Sequence, residues 1–209
     1  MSNMRRLKLL PAVAVAVAVL GVAAMYSTAA APAQATTTPH AVGPALAGRT
    51  LHMPAAASTT SYYYFPNYND SNRCLGINSS GDAGLWNCTF SGDQQWLING
   101  SKTSGSDTYY QFKNQDNKCL GVTANSTSDD ARIVGQDCDG TNDSQFWAIL
   151  NIPCSGEFFP ILNYRGAIDS KNDVVGVSGN SSANGAAVVL WSYQGVCNNQ
   201  FWEVDSTSS

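Results

Sequence analysis

The side chains able to do chemistry are unevenly placed along this sequence. Its two histidines, His40 and His52, precede the first tyrosine cluster at Tyr62, while every Asp and Glu lies from Asp70 onward. From residue 61 to the end there is therefore no base for a Ser-His-Asp triad, no Cys-His dyad and no His-ligated zinc site. Acid–base work would rest on carboxylates alone. Glu157 and Glu203 could be imagined as a glycosidase pair, but no motif places either of them. Asp137, Asp139 and Asp143 in DCDGTND have the composition of a calcium loop without its spacing or closing Glu. The expectation is a protein that is not an enzyme and needs neither cofactor nor metal.

Charge narrows the partners. Of the 209 residues 12% are charged, about half of the roughly 25% usual for a soluble domain. From residue 61 onward seven Lys and Arg stand against fifteen Asp and Glu, a net of −8. Nucleic acid and acidic membranes both need a dense basic footprint, so neither is expected as a partner.

Arg5, Arg6 and Lys8 form a basic head before the uncharged stretch from Leu9 to Ala24, and Ala33-Gln34-Ala35 offers small-x-small cleavage chemistry. Residues 1–35 thus read as a secretory signal. A membrane anchor is the weaker reading, because the stretch contains Pro11 and falls short of the ~20 apolar residues that span a bilayer. Residues 36–60, rich in Thr, Ala and Pro, read as a disordered linker or short propeptide. Six cysteines then lie in a released body, which favours three disulfides over metal ligands. Six cysteines allow fifteen connectivities, and spacing alone selects none.

Any positioning elements must come from a threefold repeat. The segments YYYFPN (62–67), YYQFKN (109–114) and FFPILN (158–163) match one another. So do RCLGI (73–77), KCLGV (118–122) and DVVGV (173–177), then LWNC (85–88), GQDC (135–138) and LWSY (190–193), then QQWLI (94–98), QFWAI (145–149) and QFWEV (200–204). Each landmark is a short aromatic or branched run bounded by Gly, Asn, Asp or Ser, the signature of a strand. The repeats span about 61–99, 108–150 and 157–205 within a domain of 61–206, giving an all-β expectation of twelve strands. In Gln-x-Trp the two side chains share one strand face. Trp96, Trp147 and Trp202 are expected to meet in the core.

This constellation resembles the ricin-type β-trefoil lectins, also described as family 13 carbohydrate-binding modules, over essentially all of 61–206. The resemblance implies a β-trefoil: a six-stranded barrel capped by three hairpins, with up to one shallow sugar site per repeat. It implies the bridges Cys74–Cys88 and Cys119–Cys138; Val174 and Tyr193 hold the corresponding places of the third repeat. The remaining two, Cys154 and Cys197, flank that repeat and are expected to pair. A family site has an Asp two residues after the first cysteine, an aromatic two before the second, and a polar residue before the Gln of Gln-x-Trp.

Here the Asp place is Gly76, Gly121 and Gly176, the aromatic place Trp86, Gln136 and Trp191, and the polar place Asp93, Ser144 and Asn199. The interval from glycine to aromatic is shorter in the first repeat than in the other two, which suggests that this repeat has lost part of its wall. The resemblance therefore points first to Trp191, Asn199 and Gln200 with Asn184 in support, and less strongly to Trp86, Asp93 and Gln94. The expected protein is a secreted bacterial monomer binding galactose-, arabinose- or xylan-type glycans or polysaccharides. The alternative is an adaptor trefoil that binds a protein partner through decayed sugar sites.

Overall fold

The computed structural model describes Leu46 and residues 61–206. The expected signal (1–35), and the linker (36–60) apart from Leu46, lie outside the described residues. Within them all twelve landmarks are strands, and two are subdivided or extended to give fourteen. In chain order these are β1 (Tyr63–Tyr64), β2 (Pro66–Asn67), β3 (Asp70–Ile77), β4 (Ala83–Asn87), β5 (Trp96–Ser104), β6 (Asp107–Asn114) and β7 (Lys118–Val122). The remainder are β8 (Ala131–Asp137), β9 (Phe146–Ile149), β10 (Phe158–Asn163), β11 (Asp173–Val177), β12 (Ala186–Ser192), β13 (Phe201–Glu203) and β14 (Asp205–Ser206). The first landmark divides at Phe65, beside Pro66, whose missing N–H cannot serve the ladder, and the pairing register shifts between Pro66 and Asn67.

The barrel closes through antiparallel pairs. β1 joins β5, β5 joins β6, β6 joins β9, β9 joins β10, β10 joins β13, and β13 returns to β2. Closure leaves no open edge in the ring. The hairpins β3–β4, β7–β8 and β11–β12 lie outside this ring and knit to one another through β4–β12, β8–β12 and the Asp82–Val134 bridge. Three hairpins meeting around one axis over a six-stranded barrel is a β-trefoil.

The core follows from strand alternation. Trp96, Trp147 and Trp202 are fully buried together with Phe65, Phe112 and the inward Leu, Ile and Val of each hairpin. Each indole also keeps its N–H satisfied: Nε1 donates to the carbonyl of Leu75 (3.3 Å), Leu120 (2.8 Å) and Val175 (2.9 Å) respectively. The disulfides are Cys74–Cys88, Cys119–Cys138 and Cys154–Cys197. Where the third repeat lacks its own bridge, Val174 and Tyr193 join a second apolar cluster. That repeat also carries a feature not anticipated from the sequence. The connection after Asn163 holds a helical turn, α1 (Tyr164–Ile168), capped by the Asn163 side chain, which accepts from the Arg165 and Gly166 N–H groups.

Candidate functional site

The Gln of each Gln-x-Trp builds the loop that frames a site. Gln94 Oε1 accepts from Thr89 N (2.9 Å) and Phe90 N (3.2 Å), while Nε2 donates to Asn87 O (2.8 Å). Gln145 and Gln200 repeat this clasp, on Asp139 N with Asp137 O and on Gln194 N with Ser192 O, all within 2.8–2.9 Å. Both ends of the Gln200 and Gln94 amides are thus engaged with backbone, as buried amides must be.

The first repeat holds an open cleft of about 440 Å³. Asn78, Trp86, Asn87, Asp93 and Gln94 line it, and Asn184 of the third repeat completes the wall. Asn184 Oδ1 accepts from Asn87 N at 2.8 Å, and Gly185 N donates to Leu85 O at 2.7 Å. Asn184-Gly185 is a turn whose glycine has φ +83°, a conformation that costs Gly little. The same relation recurs around the axis. Asp129, from the second repeat's loop, accepts from the Ser192 N–H and hydroxyl of the third, and the first repeat's Gly81 O accepts from Gly135 N of the second.

Each hairpin therefore receives a loop from the preceding repeat, and in the first repeat that loop walls the cleft, which corrects the expectation drawn from loop length. The short 78–82 loop does not strip the first repeat; it faces β8, where Asp82 pairs with Arg132. Asn184, expected beside Trp191, stands instead in the cleft of Trp86. Asp129 and the lining role of Asn87 were missed, because adjacency across the axis leaves no trace in spacing within a repeat.

The three glycines at the Asp place differ in what surrounds them. A Cβ at Gly76 would lie 2.9 Å from Gln94 Cγ, 3.0 Å from Asp93 Oδ2 and 3.1 Å from Trp86 Cδ1. The Asp93 carboxylate thus occupies the space an aspartate at 76 would enter, and its other oxygen accepts from the Ser91 hydroxyl. At Gly121 the Gln136 amide fills the corresponding space. At Gly176 the nearest atom is Gln200 Cγ at 3.3 Å, while Asn199 Oδ1 and Trp191 Cβ stand back at 3.7 and 3.8 Å. Asn199 is buried and donates to Val177 O, and Trp191 is half-exposed. Ser144, the second repeat's polar residue, is buried and bonds Val122 O and Asn142.

Trp86 lies flat over small residues. A Cβ on Gly84 would come within 2.7 Å of its Nε1, and one on Gly185 within 3.3 Å of Cζ3. On its far side is a second cavity of about 140 Å³, near the hairpin axis, lined by Ala83, Gly84, Ile133 and Val188. Trp86 lines both spaces. Its Nε1 is buried without an acceptor, an arrangement that costs about 1–3 kcal/mol. Alternation in AGLWN, which puts Gly84 beneath Trp86 on the same face, was a legible sign of this seat.

The other chemical candidates are held by structural contacts. Asp137 pairs with Lys118 and Asp143 with Lys102, each at 2.6 Å, and Asp139 accepts from the Thr141 N–H and hydroxyl. Among the described residues no group of His, Cys, Asp or Glu is placed to hold a metal ion. Burial, then the nearby Asp205 and Glu157, raise the Glu203 carboxyl above its usual range, and neither Glu157 nor Glu203 lines either cavity. Asp173 stands apart: burial raises its carboxyl to about 6, Lys171 opposing and Asp129 and Asp169 adding, and its Oδ2 has no partner.

A closed six-stranded ring with three hairpins, its loops clasped by the glutamines of Gln-x-Trp, defines a β-trefoil. Residues 92–191 match the family model described as ricin-type β-trefoil lectin domain-like. Solved structures agree on the fold. The designed threefold-symmetric protein ThreeFoil superposes with a TM-score of 0.56 at 21% identity, over 69% of this chain and 96% of that one. The Macrolepiota procera ricin B-like lectin in complex with lactose gives 0.55 at 18% identity, over 71% and 96%. The exo-β-1,3-galactanase 1,3Gal43A from Clostridium thermocellum gives 0.58 at 20% identity, over 73% of this chain but 31% of that one. No curated protein matches the sequence.

Proposed function

We propose that this domain is a non-catalytic carbohydrate-binding module whose principal site is the first-repeat cleft. The observation that carries this reading is the meeting, in one open cleft, of the Trp86 indole, the Asp93 carboxylate beside Gly76, and Asn184. The cleft lies within the ~300–1,000 Å³ of small-molecule sites. An indole packs on the apolar face of a sugar ring, and a planar carboxylate with a neighbouring amide bonds vicinal hydroxyls. Asp93 thereby supplies the acceptor that an aspartate at 76 would provide. The third-repeat set of Trp191 and Asn199 is a secondary platform, because the place of the Asp93 carboxylate is taken there by Asn199, whose amide donates to Val177 O.

Galactose-type glycans are the first class to try, since the similar structures include a lactose complex and a galactanase; arabinose- and xylan-type chains follow. A disulfide-bonded domain fits release into an oxidising compartment. One principal site per chain gives no avidity, so affinity stays modest. The test is calorimetric titration with galactosides and xylo-oligosaccharides against the parent, Trp86→Ala and Trp191→Ala. Loss of binding with Trp86→Ala and its retention with Trp191→Ala supports this reading, and the reverse moves the site to the third repeat. Absence of glycan binding in the parent favours the adaptor reading, for which the consumed amides of the second and third repeats speak.

A further inference from the structure

The outer flank between the second and third repeats has a chemistry that the other two flanks lack. β9 and the residue after it alternate between two apolar faces. Trp147 and Ile149 point into the barrel core, while Phe146, Ala148 and Leu150 belong to the second cluster outside it. The matching outward positions are Gln95 and Leu97 in the first repeat and Phe201 and Glu203 in the third. A strand buried on both faces needs a cover, and three departures of the third repeat gather at this place. Val174 and Tyr193 stand where the other repeats have a disulfide, and α1 contributes Tyr164 and Ala167. The described residue that completes the cluster is Leu46, which is 6% exposed among Tyr109, Phe146, Leu150, Leu162 and Val174.

Leu46 precedes the start of the trefoil by fifteen residues, a length of chain that reaches up to ~50 Å when extended. A domain of this size has a radius of gyration of about 15 Å, so the distance is easily covered. We infer that this flank is a docking surface for the chain's own N-terminal segment, with Leu46 as its anchor. Leu46 covers part of the apolar face that the missing third-repeat disulfide and the apolar outer face of β9 leave exposed. An aliphatic side chain in a dry seat does for the third repeat what a covalent bridge does for the first two.

The experiment uses the full chain with Leu46→Asp and the volume-conserving Leu46→Met. Arg49 is the one tryptic site between Leu46 and the trefoil, and a protease must take residues on both sides of it in extended form. Releasing Leu46 from its seat is expected to speed cleavage after Arg49 by at least about tenfold and to lower the unfolding midpoint. Leu46→Met should match the parent in both. Equal cleavage and equal midpoints for Leu46→Asp and the parent overturn the docking. Faster cleavage at an unchanged midpoint keeps the docking and overturns the role as a staple.

Discussion

The first and third repeats descend from one pattern and solve opposite problems. The first has a short loop, its own disulfide and an indole laid over glycine beside an open cleft. The third has the longer loop, no disulfide of its own, an inserted helical turn and polar amides turned into the scaffold. Its long loop nonetheless ends at the first repeat, where Asn184 walls the cleft. In a trefoil the part a repeat builds and the part it uses are different parts. A repeat cannot be judged by its own residues.

The contrast can be broken most forcefully at the cross-links. In the loop-entropy account, Cys154–Cys197 closes 43 residues and Cys74–Cys88 only 14, contributions of about 4 and about 3 kcal/mol. Replacing Cys154 and Cys197 by Ser should lower the denaturant midpoint more than replacing Cys74 and Cys88. Equal losses would mean that the third repeat leans on its flank cluster instead. Next is Gly84→Ala, which drives a methyl against Trp86 Nε1. Overpacking of this kind costs about 1–3 kcal/mol, and it should weaken glycan binding at the first-repeat cleft. A variant that is destabilised yet binds like the parent would detach the indole from the site.

A finer comparison sets Asn184→Ala beside Asp129→Ala. The first should reduce glycan affinity about tenfold, about 1.4 kcal/mol, although it lies in the third repeat, and the second should leave that affinity alone. Equal effects would erase the distinction between the two clefts. The smallest effect is electrostatic. The Asp173 carboxyl is raised to about 6 in the folded state, first by burial, against about 3.9 in an unfolded chain. The folded protein thus holds the proton more tightly, and stability falls as pH rises through that interval. Asp173→Asn should flatten this slope and stabilise the protein by about 1 kcal/mol at pH 7, a value reduced for solvent screening. Denaturant midpoints from pH 4 to 8 measure both.

Much of this fold is legible in the sequence because its cause is local. The alternation in QQWLI, QFWAI and QFWEV places three indoles inside, and the matched CLG and LWxC segments locate the hairpins, whose bridges Cys74–Cys88 and Cys119–Cys138 are those that the family resemblance implies. The site is legible only as a set of residue types. Trp86, Asp93 and Asn184 can each be picked out, but their meeting depends on which loop faces which hairpin across the axis. Spacing along one repeat carries no such information. The wall of the first repeat was misjudged for that reason. The seat of Trp86 was written more plainly, in Gly84 two residues before it, and the two-faced strand in the run FWAIL.

The hydrogen bond between Asn184 and Asn87 joins residues 97 positions apart. The cleft therefore has no existence in a nascent chain until the third repeat has been made and has found the first, and contacts of such sequence separation are the slow ones to form. A molecule that recognises the complete cleft would report whether the ring has closed. Partly folded chains, with the same tryptophan and the same aspartate, would go unrecognised.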